Sequence, residues 1–451
     1  MERISVGRRI LYFIIALPGF FLLTNNYPYL AIASIVLIVL LGIIFLCIKK
    51  KITSEHFGVI KVLSFLYFYF ILSYFVSSQT IKNFFTYDFL RNDGNFFFCY
   101  ILFFALAVPY FDYKKAAEYY FKILFFTFSI TAVIGIAGYI SQKIPFIFKY
   151  WDENYYKGTF TFLNFAHNAT GSVFAMVCIF FLVFGLMEIK NNYKVFYYIL
   201  LCICLAGLLL TRSRGSYISF AVGTLIVLWL YFKSWKKFLI TASIMAAVSA
   251  PLIYFTGAYK RIIMIFDLGE QNNSWRIVLW ERALYMFKQS PIFGIGFGRF
   301  NDIIFPGTNN NFSFENMHHF AGFPGVVSFY IEPVYVFNTA HAHNSYLQFL
   351  AETGVLGLGA LLLFWIICLR KVFKGYKITA DVFSKKIFLS NIGAIAALLT
   401  IAFTENYFSA TTIMMCLSMV TSLSLGIYWQ ETNKLKLKEN KDIIKNFKSK
   451  H

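Results

Sequence analysis

Twelve apolar runs follow one another along this chain, at residues 9–24, 28–48, 58–77, 96–111, 119–141, 165–187, 193–211, 215–232, 238–256, 346–369, 387–404 and 408–429, each closed by a polar break. A helix rising 1.5 Å per residue needs about 20 residues to cross the roughly 30 Å hydrocarbon core of a bilayer. Inside hydrocarbon every backbone N–H and C=O has to be satisfied within the chain, so runs of this length fold as spanning helices. The expectation is an all-α, polytopic membrane protein with about 12 transmembrane helices. Soluble domains carry about 25% charged residues; this chain carries 14%, with 59% hydrophobic, which excludes that class. Arg3, Arg8 and Arg9 ahead of the first run resemble a signal peptide, but no small-residue cleavage site follows, so the run reads as the first membrane helix.

The net charge of +20 does not point to nucleic acid, because the basic residues are dispersed between apolar runs and report topology instead. With the N-terminus in the cytoplasm, the segments assigned inside hold 27 Lys and Arg and those assigned outside hold 13, of which 6 lie in one long loop. The positive-inside rule is met at every short loop, with both termini cytoplasmic. The chain thus divides into membrane helices 1–9 over 1–256, an extracytoplasmic loop over 257–345, membrane helices 10–12 over 346–429 and a basic cytoplasmic tail over 430–451. The tail is a solvated end, with attraction to anionic membrane lipid as a second role. A loop of this length contains helices of its own, and 274–289 has the helical spacing. The seven cysteines sit in or beside apolar runs without zinc spacing, so neither disulfides nor a cysteine metal site is expected.

Four segments could carry chemistry on the outer side. In AHAHNSYLQFLAETGVLG (340–357), Ser345 and Gln348 fit a capping box, which places His343 just before a membrane helix. Gly354 lies eleven residues on and, at about 100° per residue, returns to nearly the same face, so a side-chain-free groove could run below the histidine. The plainer alternative is an interfacial histidine above glycines that allow close helix packing. Arg212 and Arg214 occupy an outer turn where the charge rule would not place them, and either bind an anion such as a lipid phosphate or snorkel to headgroups. Arg276, in SWRIVLWER, offers the planar fork that grips phosphate oxygens, while Arg282 and Glu281 read as a surface pair.

Lys157, Asn164, His167 and Asn168 at the entrance to the sixth run could bind sugar hydroxyls or phosphate, or cap the helix, and Asn344 adjoins the same groove. Gly294, Gly296 and Gly298 in PIFGIGFGRF follow no strand, so they read as a tight turn rather than a dinucleotide loop. His318, His319, His341 and His343 raise zinc, but no acidic or cysteine partner has motif spacing, and Asp152-Glu153 is only a loose substitute for an acidic pair; no metal is expected.

Taken in order, the RSRG turn, GTF...N...N, SWR...W, P..GIGFG and HNSYLQ..AETG..G resemble the O-antigen ligase/polymerase superfamily of bacterial membrane glycosyltransferases, from about residue 157 to 365. The resemblance implies transfer of a glycan from undecaprenyl pyrophosphate to a sugar hydroxyl, on lipid A core for a ligase or on another lipid-linked glycan for a polymerase. It implies no cofactor and no metal, with His343 as catalytic base and Arg212, Arg214 and Arg276 as pyrophosphate binders. It further implies the bacterial inner membrane and an extracytoplasmic site. The residues fit those roles independently: imidazole changes charge near neutral pH, and fixed arginines stabilise a departing pyrophosphate. The competing class is a transporter of lipid-linked sugars, which would gather polar residues near the bilayer midplane rather than at one face.

Overall fold

The computed structural model describes residues 6–21, 28–49, 57–77, 94–105, 112–143, 155–156, 159–161, 167–264, 271–300 and 341–448. Apolar segments form α1 (Val6–Phe21), α2 (Pro28–Lys49), α3 (Phe57–Val76), α4 (Asn95–Ala105) and α5 (Tyr113–Lys143). A two-residue antiparallel hairpin, β1 (Tyr155–Tyr156) and β2 (Thr159–Phe160), precedes α6 (His167–Leu186), α7 (Asn191–Leu210), α8 (Arg214–Phe232) and α9 (Trp235–Phe255). The long loop holds α10 (Ala258–Ile263) and α11 (Gln271–Gln289), and the chain returns through α12 (Ser345–Ile378), α13 (Val382–Ile401) and α14 (Thr411–Lys448). Among the described residues nine helices are long and apolar enough to cross a membrane, and three shorter apolar helices occupy the first, second and fourth runs. The all-α polytopic expectation is met. Two boundaries differ from it: α12 continues nine residues beyond the apolar run, and α14 carries helix through the basic tail to Lys448.

Burial separates core helices from lipid-facing ones. The apolar window of α14 is wholly buried and that of α6 nearly so, whereas no residue of α9 is buried. Between α5 and α6 the core is aromatic, with Phe125 stacked on Phe181 at 4.2 Å and Phe121 against Phe184 at 5.3 Å. Polar atoms inside the bundle pair across helices, as Trp365 Nε1 does with Tyr100 Oη at 3.2 Å and Thr421 Oγ1 with Asn391 Oδ1 at 3.0 Å.

The helix ends sort into two sets. Lys114–Asp381 and Lys386–Glu188, each at 2.7 Å, join the segments 112–122, 188–194 and 370–386, which the charge bias puts on one side. At the opposite end the turn after α13 meets the start of α12, and the start of α8 meets the end of α10.

Candidate functional site

The second set of helix ends is held together by one carboxylate that the sequence did not single out. Glu405 lies in the turn between α13 and α14 and is buried. Its Oε2 is 2.8 Å from His343 Nδ1, while Oε1 accepts from Arg276 Nη2 at 2.8 Å and Asn168 Nδ2 at 2.7 Å. Four separate elements thus converge on one group: α11, α6, the segment before α12 and the 402–408 turn. The turn itself is stapled to α12, because Ser345 N and Oγ both donate to the Glu405 carbonyl and Ser345 Oγ accepts from Tyr407 N.

Backbone geometry aims the histidine. His343 adopts φ 49°, a left-handed conformation that costs on the order of 1–3 kcal/mol in a non-glycine residue and persists only where surroundings enforce it. Asn344, extended at φ −160°, is the helix N-cap, its Oδ1 accepting from Leu347 N at 3.1 Å. The expected Ser345/Gln348 capping box is replaced: Ser345 serves the 405 turn and Gln348 Oε1 accepts from Ala342 N at 2.7 Å. Asn344 is accordingly buried and engaged by its own helix rather than lining an open groove. The His343 N–H donates to His341 Nδ1 at 3.2 Å, with the two rings 4.2 Å apart.

The electrostatics fix the roles of the ring nitrogens. Burial pushes the Glu405 carboxyl up, but the charge and hydrogen bond of His343 and the guanidinium of Arg276 outweigh it and hold Glu405 at about 2. An ionised carboxylate only accepts, so the proton between the two groups sits on His343 Nδ1, and Nε2 is the ring nitrogen not engaged by Glu405. Burial, followed by the neighbouring His343, lowers His341 to about 4, so His341 is neutral at pH 7. His343's side chain is 32% exposed against 7% for Glu405, so the ring is open to a substrate and its partner is not.

A carboxylate lowered from 4.5 to about 2 contributes stability that is complete above about pH 4.5 and lost as pH falls toward 2. Glu405→Gln is therefore expected to lower the thermal midpoint at pH 7, with the gap to wild type closing as the pH is taken below 4.5. Parallel melting curves over that range measure it.

The RSRG turn adjoins this core. Gly215 of the RSRG turn lies against the 401–404 turn so closely that a Cβ would come within 2.4 Å of Thr404 Oγ1. Ser216 Oγ reaches Ser172 Oγ at 3.2 Å and Ser213 Oγ at 2.7 Å, tying the turn to the start of α6. Arg212 takes φ 54° and Arg214 Nη1 donates to the Met264 carbonyl at 2.9 Å. Arg261 of α10, not singled out from the sequence, interacts electrostatically with His167 and, with Arg212, with Tyr217. Arg282, expected in a surface pair, is buried: it donates to the Phe300 carbonyl and lies 4.6 Å over the Phe300 ring, because α11 packs through Ala283 and Met286 onto Ala342 and Ala351.

Gly354 does not extend a groove beneath His343. Its φ of 64° and ψ of −169° interrupt α12, so the projection at 100° per residue fails across it. The space beside it holds the 291–296 turn, where Val355 N donates to Pro291 O at 2.9 Å and Ile295 N to Ala351 O at 3.0 Å. The tight turn expected at Gly294, Gly296 and Gly298 is present, all three with positive φ. Glu352, buried on α12, holds it by accepting from Gly298 N, Phe300 N and Gln348 Nε2. Lys157, Asn164, His318 and His319 lie outside the described residues.

His341, His343 and Glu405 each offer one ligand atom within 4.8 Å of the others. A cation there would share its carboxylate with a guanidinium at 2.8 Å.

Fold and site together define a polytopic helical membrane protein with a histidine–carboxylate–arginine cluster at one end of its bundle. Residues 197–362 match the family model described as O-antigen ligase. The match takes in Arg212, Arg214, Arg261, Arg276, His343 and Gly354 and supports the O-antigen ligase/polymerase superfamily; Asn168 and Glu405 fall outside it. Comparison with curated proteins gives no match.

Proposed function

We propose that this chain is an O-antigen ligase-type glycosyltransferase that moves a glycan from undecaprenyl pyrophosphate to a sugar hydroxyl of lipid A core, without metal or cofactor. The observation that carries the reading is the His343–Glu405 pair at 2.8 Å, one face of His343 open and Arg276 on the same carboxylate, within a segment that matches the family. The acceptor O–H gives its proton to His343 Nε2 as its oxygen bonds the anomeric carbon. The bond from that carbon to the pyrophosphate oxygen breaks, and the electron pair leaves with the lipid pyrophosphate. Arg212, Arg214 and Arg276, joined by Arg261, stabilise the charge that accumulates there. Glu405 acts through His343 by fixing its tautomer and orientation. The excess of Lys and Arg in the segments opposite the site supports an extracytoplasmic site with both termini cytoplasmic, and the resemblance to the superfamily supports the bacterial inner membrane.

Direct displacement inverts the anomeric centre, so an α-linked donor is expected to give a β-linked product, or the reverse. NMR of the product reads this; retained configuration would remove the single-displacement mechanism. Polymerisation of repeat units on a lipid-linked acceptor uses the same groups. A deletion strain separates the two: loss of a ligase leaves bare core while lipid-linked polymer accumulates, whereas core capped by a single repeat unit would assign polymerisation instead.

A further inference from the structure

The opposite end of the bundle carries a second arrangement of charge that glycan transfer does not use. A pocket between the C-terminal ends of α8 and α12 and the start of α13 is lined by Lys233, Lys377 and Lys385 together with Trp229, Phe373 and Tyr376. Among the described residues its lining contains no carboxylate. The acidic groups of the neighbouring helix ends are engaged elsewhere: Asp381 by Lys114 and the Ser384 backbone, Glu188 by Lys386, and Glu431 by Lys434. Three lysines therefore line one concavity whose walls carry no countercharge.

Aromatic side chains place that concavity at headgroup depth. Trp229 and Trp235 stand edge to face at 5.7 Å, and Phe238 lies 5.8 Å from Trp229. Both tryptophans are about half exposed on the outside of the bundle, the position of the aromatic belt where hydrocarbon gives way to headgroups. Lys233 ends α8 in a left-handed C-cap conformation at φ 49°, which turns the chain at that level, and Lys377 Nζ sits 4.4 Å over the Phe373 ring. Apolar walls beside paired cations match a phosphate attached to glycerol and acyl chains better than a free anion.

We propose that this pocket is a binding site for an anionic phospholipid of the leaflet at the lysine-rich end, its headgroup phosphate held by Lys233, Lys377 and Lys385 and its glycerol end laid against Trp229 and Phe373. Basic pockets between membrane helices bind anionic headgroups on this principle, with each cation adding to the attraction.

Native mass spectrometry of the full chain in detergent tests the site, with phosphatidylglycerol as probe, phosphatidylcholine as neutral comparison and inorganic phosphate as competitor. The expected result is one saturable phosphatidylglycerol, bound at least roughly tenfold more tightly than phosphatidylcholine. Affinity should fall roughly tenfold or more in the triple variant Lys233→Gln, Lys377→Gln, Lys385→Gln, and hold in the charge-matched control Lys190→Gln, Lys236→Gln, Lys237→Gln. Should the triple variant fail to fold, each single replacement is expected to weaken binding by a part of that amount. Equal binding of the two lipids, an equal loss in the control, or full displacement by equimolar inorganic phosphate would overturn the assignment.

Discussion

Replacing His343 by alanine is expected to lower the rate of glycan transfer by roughly 10²–10⁴-fold, the usual contribution of a positioned proton acceptor. The protein should still fold, because what the 405 turn and α12 need from this region comes from Ser345, Asn344 and Gln348 rather than from the imidazole. Glu405→Gln should lower kcat by more than roughly tenfold with little change in KM, since the amide can present N–H to Nδ1 and leave the wrong tautomer, while substrate still meets the arginines. Glu405→Asp, which keeps the charge at shorter reach, is expected to recover part of the loss. A merely structural role for Glu405 would lower the amount of folded protein and leave kcat of the remainder unchanged. The readouts are initial rates at saturating acceptor, normalised to folded protein by size-exclusion chromatography.

The largest effect on folding is expected at Gly354. Alanine there would place a methyl 2.2 Å from the Ile292 carbonyl oxygen, against backbone rather than a side chain that could swing away, and would have to adopt φ 64° as well. The facing Gly294 is in the same position, its added Cβ meeting the Glu352 carbonyl at 2.3 Å with φ 75°. Neither backbone can retreat, because Phe297 is stacked on Phe70 at 4.8 Å and its N–H donates to Ser73 Oγ. Each replacement is expected to cost more than about 3 kcal/mol, the range of severe overpacking with backbone strain, and to abolish recovery of monodisperse protein. Gly359→Ala is the internal comparison: an added Cβ there meets nothing within 4 Å, so the helix should tolerate it or gain slightly. Fluorescence-detected size exclusion of the three variants checks both expectations together.

Much of the fold is legible in the sequence because apolarity is a local property. The twelve runs map onto twelve apolar helices, and the errors fall at polar ends, where α12 and α14 continue through residues that a membrane would exclude but a helix does not. The site is legible in part. Residue type alone marks His343, Arg212, Arg214 and Arg276, since each carries charge or titrates beside hydrocarbon. Glu405 stands 62 residues from the histidine it orients, in a three-residue break between two runs, and no spacing links them. The available signals were a lone carboxylate at a bilayer boundary and, for Glu352, one inside an apolar run. Gly354 departs from its projected place because a helical projection assumes helical φ throughout, and the nearby 291–296 turn fills the surface so projected. Arg282 looked like a surface residue because its acceptor, the Phe300 carbonyl, exists only once the glycine turn has formed.

This chain alone is expected to move a glycan off a lipid pyrophosphate. Purified full-length protein in detergent with EDTA, given undecaprenyl-pyrophosphate glycan and lipid A core, is expected to produce glycan-bearing core and free undecaprenyl pyrophosphate, with His343→Ala folded and inactive. No transfer by protein that instead carries intact lipid-linked glycan across a vesicle bilayer, or full activity in His343→Ala, would contradict that role.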